Sequence, residues 1–539
     1  MRATTMNKAI FNTQLLLASM VAVVLLFAVT AQAAAPGITG TTFNLTAQPA
    51  YLTQPDGEMI YSWGYGCNGT PSGFAPAAIA GATCSTMQVP GPTLIVTEGQ
   101  PVTVNLTNGL PTAAGNTSIL FPGFNVTATG GVSGLLTQEA APGGTVTYSF
   151  TAGSPGTRAY YSGTQSDLQV EMGLYGAIIV LPNAVPAACT SGVHASNLTA
   201  ESVWGESDFR LAAAAYDHAQ TCYDREYLFQ FSEMDPNIHT QALAQVTARN
   251  SCQAGAAGCS LNVPTEPYHP AYFMINGRSM PDDMDPNYAP EYPHQPYNGD
   301  PHMHPGEQVL LRIIGQGRWQ HPFHEHGNHV RILARDGNLI LSQTDPNSLA
   351  GPLLFTTTTT PGLAMDGIFY YTGKGLNWDM YGHNPKSADG SAKLPCTPDA
   401  NGYNTGAPTA INYFEWCQDH NKPMQAAPFG DVAGGGPVTL PDPNLFTNGP
   451  WYGGSPYLGP NATLRATGCS AGSPAGSCGA TGTTPPSGTI ANSPSGEAGF
   501  AFMWHSHNER EITTNNIFPG GMLMMMLVDS REFVINETN

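Results

Sequence analysis

Charge is scarce in this chain. Asp, Glu, Lys and Arg make up 10% of its 539 residues, against about a quarter in an average soluble domain. Lys and Arg number 18 against 38 Asp and Glu, for a formal net charge of -20. Binding a nucleic acid requires a basic face to neutralise phosphates, so this balance argues against a nucleic-acid partner. Long apolar runs are also missing after the N-terminus, so no later stretch reads as a membrane-spanning helix.

The single apolar run extends from Leu15 to Val29. It follows Arg2 and Lys8 and precedes Ala31-Gln32-Ala33. A basic start, an apolar middle and a small-residue end form the layout of a secretory signal peptide over residues 1–33. The expected mature protein is secreted, to the periplasm or the extracellular space. An uncleaved anchor is the alternative.

Glycine (61) and proline (46) are plentiful, and with so little charge they favour strands, turns and loops over helices. Cysteines number ten: Cys67, Cys84, Cys189, Cys222, Cys252, Cys259, Cys396, Cys417, Cys469 and Cys478. An even count in an exported chain suggests disulfides. Sequence neighbours form five plausible pairs, although order alone does not fix connectivity.

Short β-branched runs, divided by Gly and Pro turns, recur at 92–97, 102–106, 145–150 and 175–180. They predict a sandwich or barrel domain over 38–185. Residues 186–264 read as a disulfide-bearing linker with one strand near 226–231. Strands at 273–277, 308–314, 353–360, 367–371, 500–504 and 522–528 predict a second β domain built from 265–372 and 495–535. Between them, 373–494 reads as a Cys-containing, Gly/Pro-rich insertion.

Six of the fifteen histidines lie in two short stretches. Trp319 to Arg331 holds His321, His324, His326 and His329, and the second stretch is His505-Ser506-His507. Imidazole is the commonest side-chain metal ligand, and residues two apart on a strand share a face, so a metal site is expected. The alternative is a set of hydrogen-bonded core histidines. No cysteine lies in either stretch. His302 and His304 also share a face, but in a Pro-rich approach to a strand, where solvated histidines are expected. Met522, Met524, Met525 and Met526 suit either Cu(I) or an adaptable buried strand; the aliphatic Leu523, Leu527 and Val528 favour the strand.

His321-Pro322-Phe323-His324-Glu325-His326-Gly327 resembles the third copper motif of the multicopper oxidase family. Pro90-Gly91-Pro92, the stretch Gly173 to Val180 and the ending from Phe502 to Met522 are similar to that family too. The resemblance implies an all-β fold of two cupredoxin-like Greek-key β-sandwich domains. It also implies that His321 binds type 1 copper while His324, His326, His505 and His507 belong to a trinuclear cluster. The chain departs from the family at several positions. Ser506 stands where the type 1 cysteine belongs and Glu511 where the second type 1 histidine belongs. Leu120, Pro122, Tyr161 and Gly163 replace first-domain ligands. A hydroxyl cannot replace a thiolate as a ligand for blue copper.

The resulting expectation is a laccase-like, degenerate member with a mononuclear site of His324, His326, His505 and His507, with His321 a further candidate. The cofactor is copper, with zinc possible. Four-electron reduction of dioxygen by the family's usual route is not expected; oxidation of a small molecule or a metal ion is. Glu509 or Glu511 would supply a carboxylate beside the ligands, Glu325 would point away, and Tyr160 and Tyr161 would face the site if the family's domain packing holds. The alternative function is a non-catalytic extracellular binding or structural protein that reuses the scaffold. Neither the substrate nor the oligomeric state is legible.

Overall fold

The computed structural model describes residues 35–79, 81–375, 396–418, 454–458, 490–491, 498–529, 531 and 533–536. The signal-peptide reading, most of the 373–494 insertion, Cys469 and Cys478 lie outside these residues.

The first domain is a sandwich of two five-stranded sheets. One runs in the order 156–161, 175–181, 94–97, 37–39, 73–75, and the other 59–67, 42–53, 101–108, 145–151, 127–129. Alternation explains the layering. In Pro101–Asn108, Val102, Val104 and Leu106 point inward, and the antiparallel register sets them opposite Phe150, Tyr148 and Val146. Each such side chain contributes about 1.5–3 kcal/mol when fully buried.

The second domain is a larger sandwich, also all-β. One sheet holds 272–275, 225–234, 308–315, 364–370, 330–335 and 338–339. The other runs 302–303, 523–529, 498–506, 321–325, 356–359, with 454–458 also paired to 498–506. Met522, Met524 and Met526 lie in its core, as the buried-strand reading of the Met-rich end requires.

The linker differs from expectation. Arg225–Met234 pairs with Gln308–Gly315 inside the second sandwich, and every one of its residues is buried. Tyr227, Phe229 and Phe231 fill the core, while Leu228 packs with Ile314 and Ala364 against Ala159, Ala177 and Ile179 of the first domain. The strand therefore belongs to the second sandwich, and its outer face is the domain interface. Two helices flank it, Gly192–Trp204 and Pro236–Ala248. The second begins with Asp235, whose side chain accepts a hydrogen bond from Asn237 N at 2.9 Å, followed by Pro236 at the first helical position. The first ends at Gly205, whose φ of 90° suits a C-terminal cap.

Four disulfides join sequence neighbours: Cys67–Cys84, Cys189–Cys222, Cys252–Cys259 and Cys396–Cys417.

At the interface the buried Asp366 accepts hydrogen bonds from Thr157 Oγ1 (2.6 Å), Thr157 N (3.1 Å) and Tyr216 OH (2.5 Å). Replacing Asp366 with alanine strands these donors, at an expected cost of about 2–4 kcal/mol. Urea unfolding should show the loss as a lower midpoint. An unchanged midpoint would mean that the apolar contacts alone hold the two sandwiches together.

Candidate metal centre

The site is set by one antiparallel register. Strand His321–Glu325 pairs with Ala498–Ser506 so that His324 lies opposite His505 and Phe323 opposite Ser506. Alternation then divides the histidines between two faces. Phe323 points into the core among Phe229, Phe231 and Trp504, on the same face as His321 and Ser506. His324 and His505 point the other way.

On that second face, one ligand atom from each of His324, His326 and His505 lies within 4.8 Å of the others. The three residues are 2%, 7% and 6% exposed. His326 Nε2 and His505 Nε2 are 3.3 Å apart. His505 Nδ1 is 2.7 Å from the Ser506 carbonyl, which can only accept, so the proton resides on Nδ1 and Nε2 presents its lone pair. His324 Nδ1 is 2.7 Å from Thr356 Oγ1. Burial, reinforced by the neighbouring His326, His505 and His507, pushes the His324 imidazole down to about 4. Burial, together with His507, lowers His505 as well. Buried imidazoles at this spacing, two of them oriented by hydrogen bonds, fit a late first-row metal ion. His507 lies at the rim, its ring 4.8 Å from that of His324, with its side chain 51% exposed. His329 is half-buried against Phe355, whose ring also meets His324.

His321 lies elsewhere. Its Nε2 is 2.9 Å from Glu233 Oε2 and its Nδ1 2.9 Å from Glu511 Oε2. Ser506 donates to the same Glu511 oxygen at 2.5 Å, and Asn508 donates to the other at 2.8 Å. Both imidazole nitrogens are thus engaged by carboxylates, and Glu511 Oε2 stands where the side chains of His321 and Ser506 converge. Burial alone would lower the His321 imidazole, but its bonds to Glu233 and Glu511 and their charges outweigh it and hold it at about 9. In this structure both His321 nitrogens face carboxylates, on the opposite side of the strand from the three imidazoles. Glu511 is likewise committed to this network and is not beside the three imidazoles as a carboxylate ligand. Glu325 points into the core and accepts from Thr357 Oγ1 at 2.7 Å, as alternation requires.

Other expectations are corrected. His302 and His304 are buried, not solvated. His302 Nδ1 meets Asp529 at 2.5 Å and its Nε2 meets Asp300 at 3.3 Å, while His304 Nε2 meets Glu206 at 2.6 Å. The pairing of 302–303 with 523–529 brings Asp529 to them. Tyr160 does not face the three imidazoles. It is buried in the first-domain core and donates to the Pro92 carbonyl at 2.7 Å. Tyr161 is half-buried, and a Cβ at Gly362 would lie 3.3 Å from its ring.

Leu120 and Tyr161 exchange backbone hydrogen bonds, and a Cβ at Gly163 would meet Leu120 Cγ at 2.7 Å. These three positions lie together, and none offers an imidazole.

Residues 80–185 match the profile of the family described as multicopper oxidase. They are a multicopper oxidase domain. Among curated relatives, the chain is 37% identical over 98 residues to "Multicopper oxidase MCE" of Talaromyces pinophilus and 36% identical over 98 residues to "Laccase abr2" of Aspergillus fumigatus. Each alignment covers 18% of this chain, and 15% and 16% of those proteins respectively. The solved structure titled "Multicopper Oxidase mgLAC" aligns over 90% of this chain and 86% of its own at 15% identity, with a TM-score of 0.41. Neither histidine stretch lies within the matched residues 80–185.

The raised His321 predicts a pH dependence. A group held at about 9 when folded and near 6.5 when unfolded contributes stability that is fully present below pH 6.5 and lost as pH rises through about 9. The loss should be on the order of 2–3 kcal/mol. Urea unfolding at pH 6, 7.5 and 9 should show this slope in the native protein and a flatter one in His321→Gln. Equal slopes would assign the dependence to other groups.

Proposed function

We propose that this protein is an exported, degenerate multicopper oxidase that binds one copper ion through His324, His326 and His505, with His507 at the rim, and that transfers one electron at a time from a small molecule or metal ion to dissolved dioxygen, which is reduced to superoxide. The observation that carries this reading is the convergence of three buried imidazole ligand atoms within 4.8 Å. Copper, when bound there, supplies a one-electron redox couple. The protein's part is to hold the ligands. The Ser506 carbonyl fixes the His505 tautomer, Thr356 orients His324, and Trp504 Nε1 donates to the His326 carbonyl at 3.0 Å.

The usual four-electron route is not part of the proposal. It requires a thiolate centre to collect electrons, whereas Ser506, His321 and Glu511 are locked together by hydrogen bonds. It also requires first-domain histidines where Leu120, Pro122, Tyr161 and Gly163 stand.

A second reading, a non-catalytic extracellular binding or structural protein, is supported by those same apolar first-domain positions. Metal analysis separates the two. The mature protein, loaded with copper and dialysed, should retain about one ion per chain, and the pair His324→Ala and His505→Ala should abolish retention. Native protein that retains none would leave only the second reading.

The loaded protein should also lack the intense blue absorption of a copper thiolate. Ser506→Cys alone should not create it, because Glu511 still fills the adjoining position. A blue Ser506→Cys variant would show that Glu511 yields to a metal.

A further inference from the structure

We infer that His507 and Glu509 form the loading station of the three-imidazole site. This pair captures hydrated divalent copper at the surface, and His507 passes it inward to His324, His326 and His505. The inference rests on the reading that these three residues hold copper.

The three inner imidazoles are 2%, 7% and 6% exposed, whereas the side chains of His507 and Glu509 are 51% and 77% exposed. Yet the His507 ring is 4.8 Å from that of His324 and 5.6 Å from that of His505, no farther than the inner rings are from one another by more than about an ångström. His507 therefore touches both the solvent and the site.

The backbone N–H of His507 donates to the Pro322 carbonyl at 2.8 Å, so its backbone is tied to the strand carrying His321 and His324. His505 is held by the Ser506 carbonyl and His324 by Thr356. His507 Nδ1 has only a loose approach to Glu509 Oε1, at 3.8 Å. Rotation about the His507 side chain is thus the smallest motion that carries a ligand from the surface into the site.

Glu509 is a carboxylate at the mouth, on a chain whose net charge is -20, and such a field raises the encounter rate of a cation. Arg510, the nearest cation in sequence, is turned away: it donates to Asn516 Oδ1 at 2.7 Å and to the Pro270 carbonyl at 3.0 Å. A hydrated ion cannot reach three buried nitrogens without shedding water. Exchanging one water for a half-exposed imidazole first divides that cost into steps.

The test is copper uptake by the metal-free mature protein, followed by stopped-flow quenching of tryptophan fluorescence. Trp504, bonded to the His326 carbonyl, is the reporter. His507→Ala should lower the association and dissociation rates together, by about tenfold, while the equilibrium affinity stays within about threefold. Glu509→Gln should slow association about threefold at low ionic strength, and the difference should vanish in about 0.5 M salt. A His507→Ala variant with unchanged association and weakened affinity would make His507 an ordinary ligand and overturn the inference. Unchanged rates in both variants would overturn it as well. Native protein that takes up no copper would instead overturn the copper reading beneath it, and the inference with it.

Discussion

The register that sets His324 opposite His505 is the constraint on which the rest of the site depends. Because side chains alternate along a strand, this one pairing sends His324 and His505 to one face and His321 and Ser506 to the other. A slip of a single residue would bury an imidazole of the site among Phe229, Phe231 and Trp504 and expose the carboxylate network. The apolar core forbids that slip. Phe323 packs tilted against Phe231 with ring centroids 4.7 Å apart, so the same residue that fills the core holds the ligands in phase.

The two faces of this strand pair solve opposite electrostatic problems. On one, burial and neighbouring histidines push the His324 and His505 imidazoles towards their neutral form. On the other, a single imidazole is kept charged between two carboxylates although it is fully buried. The same side chain, three residues apart in sequence, is therefore pushed towards its neutral form at 324 and towards its charged form at 321. The difference lies in what each face meets: other histidines in the first case, Glu233 and Glu511 in the second.

Much of this was legible in the sequence, for definite reasons. Strand positions followed from β-branched alternation, and the four disulfides among the described residues join sequence neighbours. The separation of His505 from Ser506 followed from the period of a strand. Other features depended on partners far away in the chain. His302 and His304 looked solvated because their neighbours are prolines, whereas Asp529, more than two hundred residues later, buries and pairs with His302. The position of His321 between carboxylates could not be read without Glu233, which lies in what looked like a linker. Asp235-Pro236 was a readable helix start that the strand-rich composition obscured. Tyr160 was placed by analogy of domain packing; its hydroxyl instead satisfies a carbonyl of its own domain.

Arg225–Met234 has a consequence for how the protein can be divided. Its ten residues are buried on both faces because one sandwich forms the other's outer wall. The domains can be told apart by tracing strands, but neither presents a finished surface to water without its neighbour. Removing the first sandwich would expose Leu228, Ile314 and Ala364 as an apolar patch of the kind that recruits unwanted partners. The protein is modular in its sequence and indivisible in its solubility. The first sandwich is therefore needed as a wall of the second, whatever its own residues bind.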